Sequence, residues 1–189
     1  AYQKAKEGIV EFQKQDDIAI INRDNQYTRL IGRRVPGKRF WFSLKPFATE
    51  NGAFYQKKWL VLRINGIVRR VIPEKDIPFT SEDMKANLLA AVVAGWCAGV
   101  SVRDMRAKIP KLQAPSGRRQ IIRRYKGRTF VNDTTASAPV ATLNALSAFS
   151  HPLILIAGGV NKKLPYTELA RAIKARVEHV VLLPGTASD

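Results

Sequence analysis

Short runs of purely apolar residues, separated by segments of helical spacing, limit the folds open to this 189-residue chain. The run Ile18–Asn22 (IAIIN) follows a helical pattern over Tyr2–Gln13, and the runs Leu153–Ala157 and Val180–Leu183 flank another helical pattern over Tyr166–Val177. Continuous apolar runs of this length are typical of strands that are buried in a parallel sheet. Alternation of such strands with helices predicts an α/β fold.

The segment 38–78 has a different residue pattern, in which short aromatic and β-branched stretches alternate with turn residues. Between two of these stretches lies Asn65-Gly66, a strong hairpin signal because both residues tolerate a positive φ. The segment is therefore predicted to be a small antiparallel meander, and Thr80 or Ser81 should cap the helix that follows it. The four stretches are Arg39–Leu44, Ala53–Gln56, Trp59–Ile64 and Ile67–Ile72.

A domain boundary is predicted in Pro110–Gly117, which contains two prolines, a serine and a glycine and has no periodicity. We expect one α/β domain over residues 1–112 and a second, Rossmann-like α/β domain over residues 113–189. In the second domain, two strands should meet at a turn at Gly127, and a helix should begin at Pro139. Because the second domain ends on a strand with no helix after it, we expect it to be truncated.

Basic residues dominate the composition, with 32 Lys and Arg against 15 Asp and Glu and a formal net charge of +17. Such a chain attracts polyanions in general, so its charge alone selects no partner. The basic residues are densest in Arg33–Arg39 and in Arg118–Arg128. We interpret both segments as solvated basic surface that contains one or two functional arginines.

The single cysteine, Cys97, and two histidines exclude an internal disulfide framework, a Cys-rich zinc site and a histidine metal cluster. This composition is typical of a reducing, cytosolic compartment. The apolar runs are all far shorter than the roughly 20 residues of a membrane-spanning helix. A soluble, cytoplasmic protein without a membrane span is therefore predicted.

Two loops that follow predicted strands carry candidate binding residues. Val131–Pro139 (VNDTTASAP) places Asp133, threonines and a serine before a helix, where ligands bind in open α/β sheets. Alternatively, Thr134 or Ser137 only caps that helix and Asp133 tightens the turn. The second loop, Ala157–Lys163 (AGGVNKK), has two glycines and a lysine that can reach an anion, but it lacks the full phosphate-loop pattern and could be only a tight turn.

Together these stretches resemble the C-terminal domain of the Mur ligases. The resemblance covers Val131–Leu146, Leu153–Lys162 (LILIAGGVNK) and Val180–Gly185 (VVLLPG). Upstream, Asn22–Ile31 (NRDNQYTRLI) resembles the asparagine-acidic turn after a central-domain strand of that family, and Lys85–Ser101 resembles the helix after its His-Asn-x-x-Asn segment. The chain is identified as a member of this family, most similar to its D-glutamate-adding branch, with the rear part of the central ATP-binding domain preceding the C-terminal domain.

The resemblance implies an ATP-dependent ligase, with Mg²⁺, that activates the carboxylate of UDP-N-acetylmuramoyl-L-alanine as an acyl phosphate and joins it to D-glutamate in peptidoglycan synthesis. Asn87 is predicted in the first turn of an apolar helix, where its amide either faces a ligand or only completes a cap. On the family's pattern, Asn87 contacts the adenine, Arg118 contacts a phosphate or the ribose, and Asp133 accepts from the ribose hydroxyls. Ser137 and Lys162 match positions that hold the carboxylates of the incoming amino acid, a task that suits both residue types.

Several residues depart from the family's pattern. Asp83-Met84 replaces the His-Asn pair of the adenine-contacting helix, Gly117 and Gln120 replace the histidine and glutamate around the motif's arginine, and Thr135 replaces a lysine. These changes indicate a divergent ligase or one with a relaxed choice of amino acid.

The resemblance also places the family's UDP-binding domain, Gly-Lys-Thr/Ser phosphate loop, modified lysine and most magnesium ligands before residue 1, so the catalytic residues are expected there. We therefore expect the 189-residue chain to be inactive alone. The alternatives are a related Mur or folylpolyglutamate-type ligase with another amino acid, and a non-catalytic basic nucleic-acid-binding protein. Nucleic acid is not the expected partner, because the chain has no recognition helix or stacking motif.

Overall fold

The computed structural model of the chain describes residues 2–150 and 152–186, with side chains from residue 7 onward. The chain divides into two units, Ala1–Gln113 and Ala114–Asp189. The ends of the two predicted domains, residue 1 and residues 187–189, lie outside the described residues. No helix of the described part combines the length and the apolar character that crossing a membrane requires.

The first unit begins with α1 (Tyr2–Glu11), β1 (Ile18–Asn22), α2 (Gln26–Gly32), β2 (Lys38–Ser43), β3 (Gly52–Gln56), β4 (Trp59–Ile64) and β5 (Ile67–Pro73), and continues with α3 (Glu82–Cys97) and α4 (Val102–Lys108). Single 3₁₀ turns, Glu74–Asp76 and Ile109–Lys111, follow β5 and α4. The second unit contains β6 (Gln120–Tyr125), β7 (Arg128–Asn132), α5 (Pro139–Ala148), β8 (Leu153–Ala157), α6 (Thr167–Arg176) and β9 (Val177–Leu182).

The first five strands form one mixed sheet in chain order. β1, β2 and β3 are parallel neighbours, with Phe42 opposite Ala53, whereas β3, β4 and β5 are antiparallel. The predicted meander is therefore correct for β3–β5 and wrong for β2. The chain returns from β2 to β3 through residues 44–51 without a helix, and this loop buries Phe47 against Phe54, with ring centroids 4.5 Å apart. A short crossover of this kind has the same sequence signature as a hairpin loop.

Side-chain alternation along the sheet separates two hydrophobic cores, one on each face. The first core lies beneath α3 and α4 and includes the fully buried Leu62 and Leu89. The second contains Trp41 and Phe54 together with residues of β1. On β2, Phe42 packs with the first core and Trp41 with the second, so neighbouring residues of this strand serve opposite faces.

Local turn and cap signals in the first unit act largely as expected. Asn65 and Gly66 have φ values of 50° and 81°, and they join β4 to β5, which confirms the predicted hairpin. Ser81 occupies the N-cap position of α3, but its side chain makes no capping hydrogen bond. The acidic residues Glu82 and Asp83 lie in the first turn of α3, where their negative charges interact favourably with the positive end of the helix dipole.

In the second unit, the strands pair two by two. β6 and β7 form a hairpin, and β8 and β9 are parallel strands joined by α6, a βαβ element of the Rossmann-like type. The α/β class is confirmed, but the expected burial of the last two apolar runs is wrong. Ile154 and Ile156 are 60% and 66% exposed, whereas Leu153 and Leu155 on the other face of β8 are half-buried. In the part of the chain that the structure describes, each strand of this two-stranded sheet pairs with only one other strand, and one face of β8 is left uncovered within its unit.

Candidate functional site

Hydrogen bonds join the turn before β6 to the loop after β7. The backbone N–H of Arg119 donates to Oδ1 of Asp133 at 2.9 Å. Both the hydroxyl and the N–H of Thr135 donate to the carbonyl oxygen of Gly117, at 2.8 and 3.0 Å. Arg118 lies between these two links, so its turn and the loop that carries Asp133 form one hydrogen-bonded structure.

Three of the residues that depart from the Mur pattern, Gly117, Gln120 and Thr135, take part in this turn. Gly117 has a φ of 73°, and a Cβ atom there would lie 3.0 Å from the Thr134 hydroxyl oxygen and 3.2 Å from the Thr135 methyl group. Glycine therefore permits both the conformation and the close approach. Oε1 of Gln120 accepts from the Gly117 N–H at 3.0 Å and from the Ser116 hydroxyl at 3.1 Å.

The interpretation of the Val131–Pro139 loop as a simple helix cap is only partly correct. The N-cap of α5 is Ala138, which makes no side-chain capping hydrogen bond, so neither Thr134 nor Ser137 caps that helix. The carboxylate of Asp133 does tighten the structure, through the bond from Arg119. Ser137 is exposed one residue before the cap.

The loop after β8 packs closely against the segment after β9. The Leu183 N–H donates to the Ala157 carbonyl oxygen at 2.7 Å, and the Asn161 N–H donates to the Thr186 hydroxyl at 3.0 Å. Glycines permit this approach, because a Cβ atom on Gly158 would lie 2.7 Å from the Leu183 side chain.

Lys162 is exposed in the middle of this loop. The alternative of a tight turn is wrong, because nine irregular residues, 158–166, separate β8 from α6. Neighbouring Lys163 has a φ of 54°, and its N–H donates to Oδ1 of Asn161 at 2.8 Å. The backbone beside Lys162 is thus ordered by hydrogen bonds while its side chain faces solvent.

Asn87 lies in the first unit, in the second turn of α3 rather than the first, because the helix already begins at Glu82. It is exposed, on the helix face opposite to the buried Leu88 and Leu89, and it is too far from the helix start to cap it. The predicted helix start is correct, but the predicted position of Asn87 is one turn too early.

Hydrogen bonds bring some of the predicted residues together. The turn with Arg118 and the loop with Asp133 and Ser137 are brought together, whereas the loop with Lys162 is bonded to the segment after β9 and Asn87 belongs to the other unit. Within the described residues there is no cluster of three or more His, Cys, Asp or Glu side chains that suits a metal ion. The sequence did not predict the bonds between Asn161 and Thr186 or between Gly117 and Thr135.

The sequence also missed a cleft in the first unit, of about 280 Å³, that four arginines line. Arg23 and Arg29 lie outside the basic segment Arg33–Arg39, so charge density along the chain does not group them with it. In a strand every second side chain points to the same face, so Arg23 should lie on the face of Ile21. This alternation is the sequence signal that could have placed Arg23 in the cleft. The lining residues are Arg23, Arg29, Arg33, Arg39, Trp41 and Glu50.

Comparison with the curated proteins found relatives that are similar along the entire chain, although no family model matches. UDP-N-acetylmuramoylalanine–D-glutamate ligase of Roseiflexus sp. (strain RS-1) is 35% identical over 195 residues, which cover 100% of this chain and 42% of the relative. The ligase of the same name from Koribacter versatilis (strain Ellin345) is 32% identical, over 99% of this chain and 41% of the relative. The chain thus spans about two-fifths of the length of the curated relatives it matches.

Solved structures share the fold at lower identity. The MurF ligase from Thermotoga maritima in complex with ADP has a TM-score of 0.62 at 15% identity and covers 97% of this chain and 47% of that one. The UDP-N-acetylmuramoylalanyl-D-glutamyl-2,6-diaminopimelate–D-alanyl-D-alanyl ligase from Acinetobacter baumannii has a TM-score of 0.62 at 18% identity, over 95% of this chain and 46% of that one. The resemblance seen in the sequence is therefore confirmed: over its whole length the chain is similar to a part of proteins named UDP-N-acetylmuramoylalanine–D-glutamate ligase.

Proposed function

We propose that this chain is the nucleotide- and amino-acid-binding part of a cytoplasmic ATP-dependent ligase that joins D-glutamate to UDP-N-acetylmuramoyl-L-alanine in peptidoglycan precursor synthesis. The observation that carries the proposal is the 35% identity to such a ligase along the entire chain. The units Ala1–Gln113 and Ala114–Asp189 would be the rear part of the central domain and the C-terminal domain. The departures in the family motifs leave a related ligase for another amino acid as the second candidate.

The turn and loop around Arg118 have the chemistry that a nucleotide requires. Arg118 supplies a guanidinium group, which pairs with phosphate oxygens through charge-assisted hydrogen bonds. A carboxylate has about four acceptor positions, so Asp133 can accept from a ribose hydroxyl while its Oδ1 holds the Arg119 N–H. ATP, when bound, supplies the phosphoryl group that activates the carboxylate substrate. The role of the chain is to position these groups and to neutralise charge.

Thr135, which stands where the family has a lysine, uses its hydroxyl in the bond to Gly117. It therefore helps to hold the turn that carries Arg118, and it offers no positive charge to the carboxylates of the amino acid. We assign the carboxylates of D-glutamate to Ser137 and Lys162, whose side chains are both exposed. In the part of the chain that the structure describes, no cluster of three or more His, Cys, Asp or Glu side chains fits Mg²⁺.

A chimera tests these assignments, with this chain replacing the matching segment of the Roseiflexus ligase. We expect Asp133→Asn to raise the KM for ATP and Lys162→Ala to raise the KM for D-glutamate, each by roughly tenfold, because each change removes a charged hydrogen-bond partner. Lys163→Ala is the matched control, because it removes a neighbouring exposed lysine whose family position has no proposed role. Equal effects of Lys162→Ala and Lys163→Ala on the KM for D-glutamate would contradict the assignment.

A further inference from the structure

A cluster of arginines surrounds the cleft that the proposed ligase chemistry does not use. Residues of α2 and β2 meet there with Arg23, which follows β1, on one face of the sheet. Odd-numbered positions of β2 such as Arg39 and Trp41 point away from α3. Asn87 belongs to α3, which packs against the other face through the first core. The cleft is therefore distinct from the position that we assign to adenine.

Two of the four arginines are held in place. Arg23 pairs with Glu50 at 3.4 Å, and its guanidinium lies 5.1 Å from the centroid of the Phe47 ring. Arg39 donates from Nη1 to the carbonyl oxygen of Gly32 at 3.0 Å. Because their positions are fixed before any ligand arrives, these two arginines would lose little conformational entropy on binding.

The other two, Arg29 and Arg33, make no side-chain hydrogen bond or ion pair with any residue that the structure describes. Both are exposed, on α2 and at the residue that follows it. Glu50 supplies the one negative charge of the lining, so the four arginines leave a net charge of +3 around the cleft. This excess of guanidinium groups favours an anionic ligand.

The size and charge of the cleft select the class of anion. Its volume of about 280 Å³ lies at the lower edge of the roughly 300 to 1,000 Å³ that is usual for ligand pockets, which is ample room for a small anion. Guanidinium groups bind phosphate oxygens bidentately, and each phosphate brings up to about two negative charges in a compact volume. A ligand of two linked phosphates would balance the net charge better than a dicarboxylate of the same size.

We propose that this cleft is a binding site for a small phosphate anion of the pyrophosphate type, with Arg29 and Arg33 closing on a ligand that Arg23 and Arg39 orient. The site is independent of the proposed ligase function. Trp41 forms part of the wall and is buried against Gly32, where a Cβ atom would lie 2.5 Å from the indole. The NMR signal of the Trp41 indole should therefore change when an anion binds in the cleft.

The test is calorimetric titration of the 189-residue chain with sodium pyrophosphate at constant ionic strength. We expect saturable binding, and we expect R29A/R33A to weaken it by roughly tenfold or more, since two charge-assisted partners are lost. The control R34A/R103A removes the same number of exposed charges outside the cleft and should leave the affinity within roughly twofold. Circular dichroism establishes that each variant is folded.

A second measurement locates the anion on the protein. In ¹⁵N NMR spectra of the wild-type chain, pyrophosphate should shift the indole signal of Trp41, assigned with Trp41→Phe, and leave those of Trp59 and Trp96 in place. Absence of saturable binding at millimolar pyrophosphate would overturn the proposal. Equal weakening in both double variants would also overturn it, because that result indicates general attraction to a basic surface.

Discussion

The two units of this chain differ in how much of their apolar surface they bury. The first contains two continuous cores on the faces of a five-stranded sheet, with Leu62 and Leu89 fully buried. In the second, Leu146 is the single large apolar side chain that is buried among the described residues, and both β8 and β9 expose aliphatic side chains. The residues proposed to bind nucleotide phosphate, ribose and amino acid lie mostly in the unit with the smaller core.

This difference shows how the second unit positions its candidate residues. It uses polar and backbone links, such as those from Thr135 to Gly117 and from Asn161 to Thr186, together with close approaches at glycines. Each neutral hydrogen bond contributes only about 1 kcal/mol, whereas a buried aliphatic side chain contributes about 1.5–3 kcal/mol. The second unit should therefore be sensitive to changes in its turns, and the first to changes in its cores.

The largest expected effect separates the cores of the two units. Leu89→Ala should reduce the free energy of unfolding by about 2–5 kcal/mol, because it leaves a cavity between α3 and the sheet. The corresponding change in the second unit, Ile156→Ala, should cost less than about 1 kcal/mol, since that side chain is 66% exposed. Urea denaturation followed by circular dichroism measures both. Similar losses for the two variants would contradict the difference in burial.

Gly117→Ala tests the turn of the second unit and should have an intermediate effect. We expect a loss of about 1–3 kcal/mol, from the φ of 73° together with the contacts at 3.0 and 3.2 Å. Gly127→Ala is the matched control, because Gly127 has a φ of 74° and no heavy atom lies within 4 Å of the position that a Cβ atom would occupy there. Gly127→Ala should lower the free energy of unfolding by less than Gly117→Ala does, as measured by thermal or urea unfolding. Equal losses for the two variants would show that the close approach of Gly117 to Thr134 and Thr135 does not matter for stability.

The smallest expected effect concerns the first unit. Burial raises the pKa of Tyr55, with Glu74 contributing, and its hydroxyl has no hydrogen-bond partner among the described residues. Tyr55→Phe removes a polar group that is buried without compensation, so it should leave the free energy of unfolding unchanged or raise it by up to about 1 kcal/mol. A loss above about 1 kcal/mol in the same urea experiment would indicate a partner for the hydroxyl.

The features of the fold that were predicted correctly from the sequence are mainly those that depend on local turn residues. Asn65-Gly66 and the turn at Gly127 join strands as expected, because positive φ is a property of the residues themselves. The direction of β2 was mispredicted because it depends on how the loop through Phe47 packs, which is a non-local property. The exposure of Ile156 was missed because apolar composition does not reveal how many strands flank a sheet position.

For the candidate site, the family resemblance selected the residues, and the sequence alone did not show which of them meet. The pairing of the Gly117 turn with Asp133 and Thr135 depends on bonds between segments on opposite sides of a hairpin. The arginine cleft was missed because its residues come from α2, from β2 and from the segments that follow β1, α2 and β2, which the fold brings together. Segments of high charge density in a sequence do not identify such clusters.

The amino acid that the ligase uses is the most direct test of the central claim. The chimera with the Roseiflexus ligase is supplied with ATP, UDP-N-acetylmuramoyl-L-alanine and, in turn, D-glutamate, L-lysine, diaminopimelate and L-alanine, and phosphate release is measured. We predict that D-glutamate stimulates phosphate release and that the other amino acids do not. Stimulation by another amino acid, without a response to D-glutamate, would contradict the assignment of this chain to a D-glutamate-adding ligase.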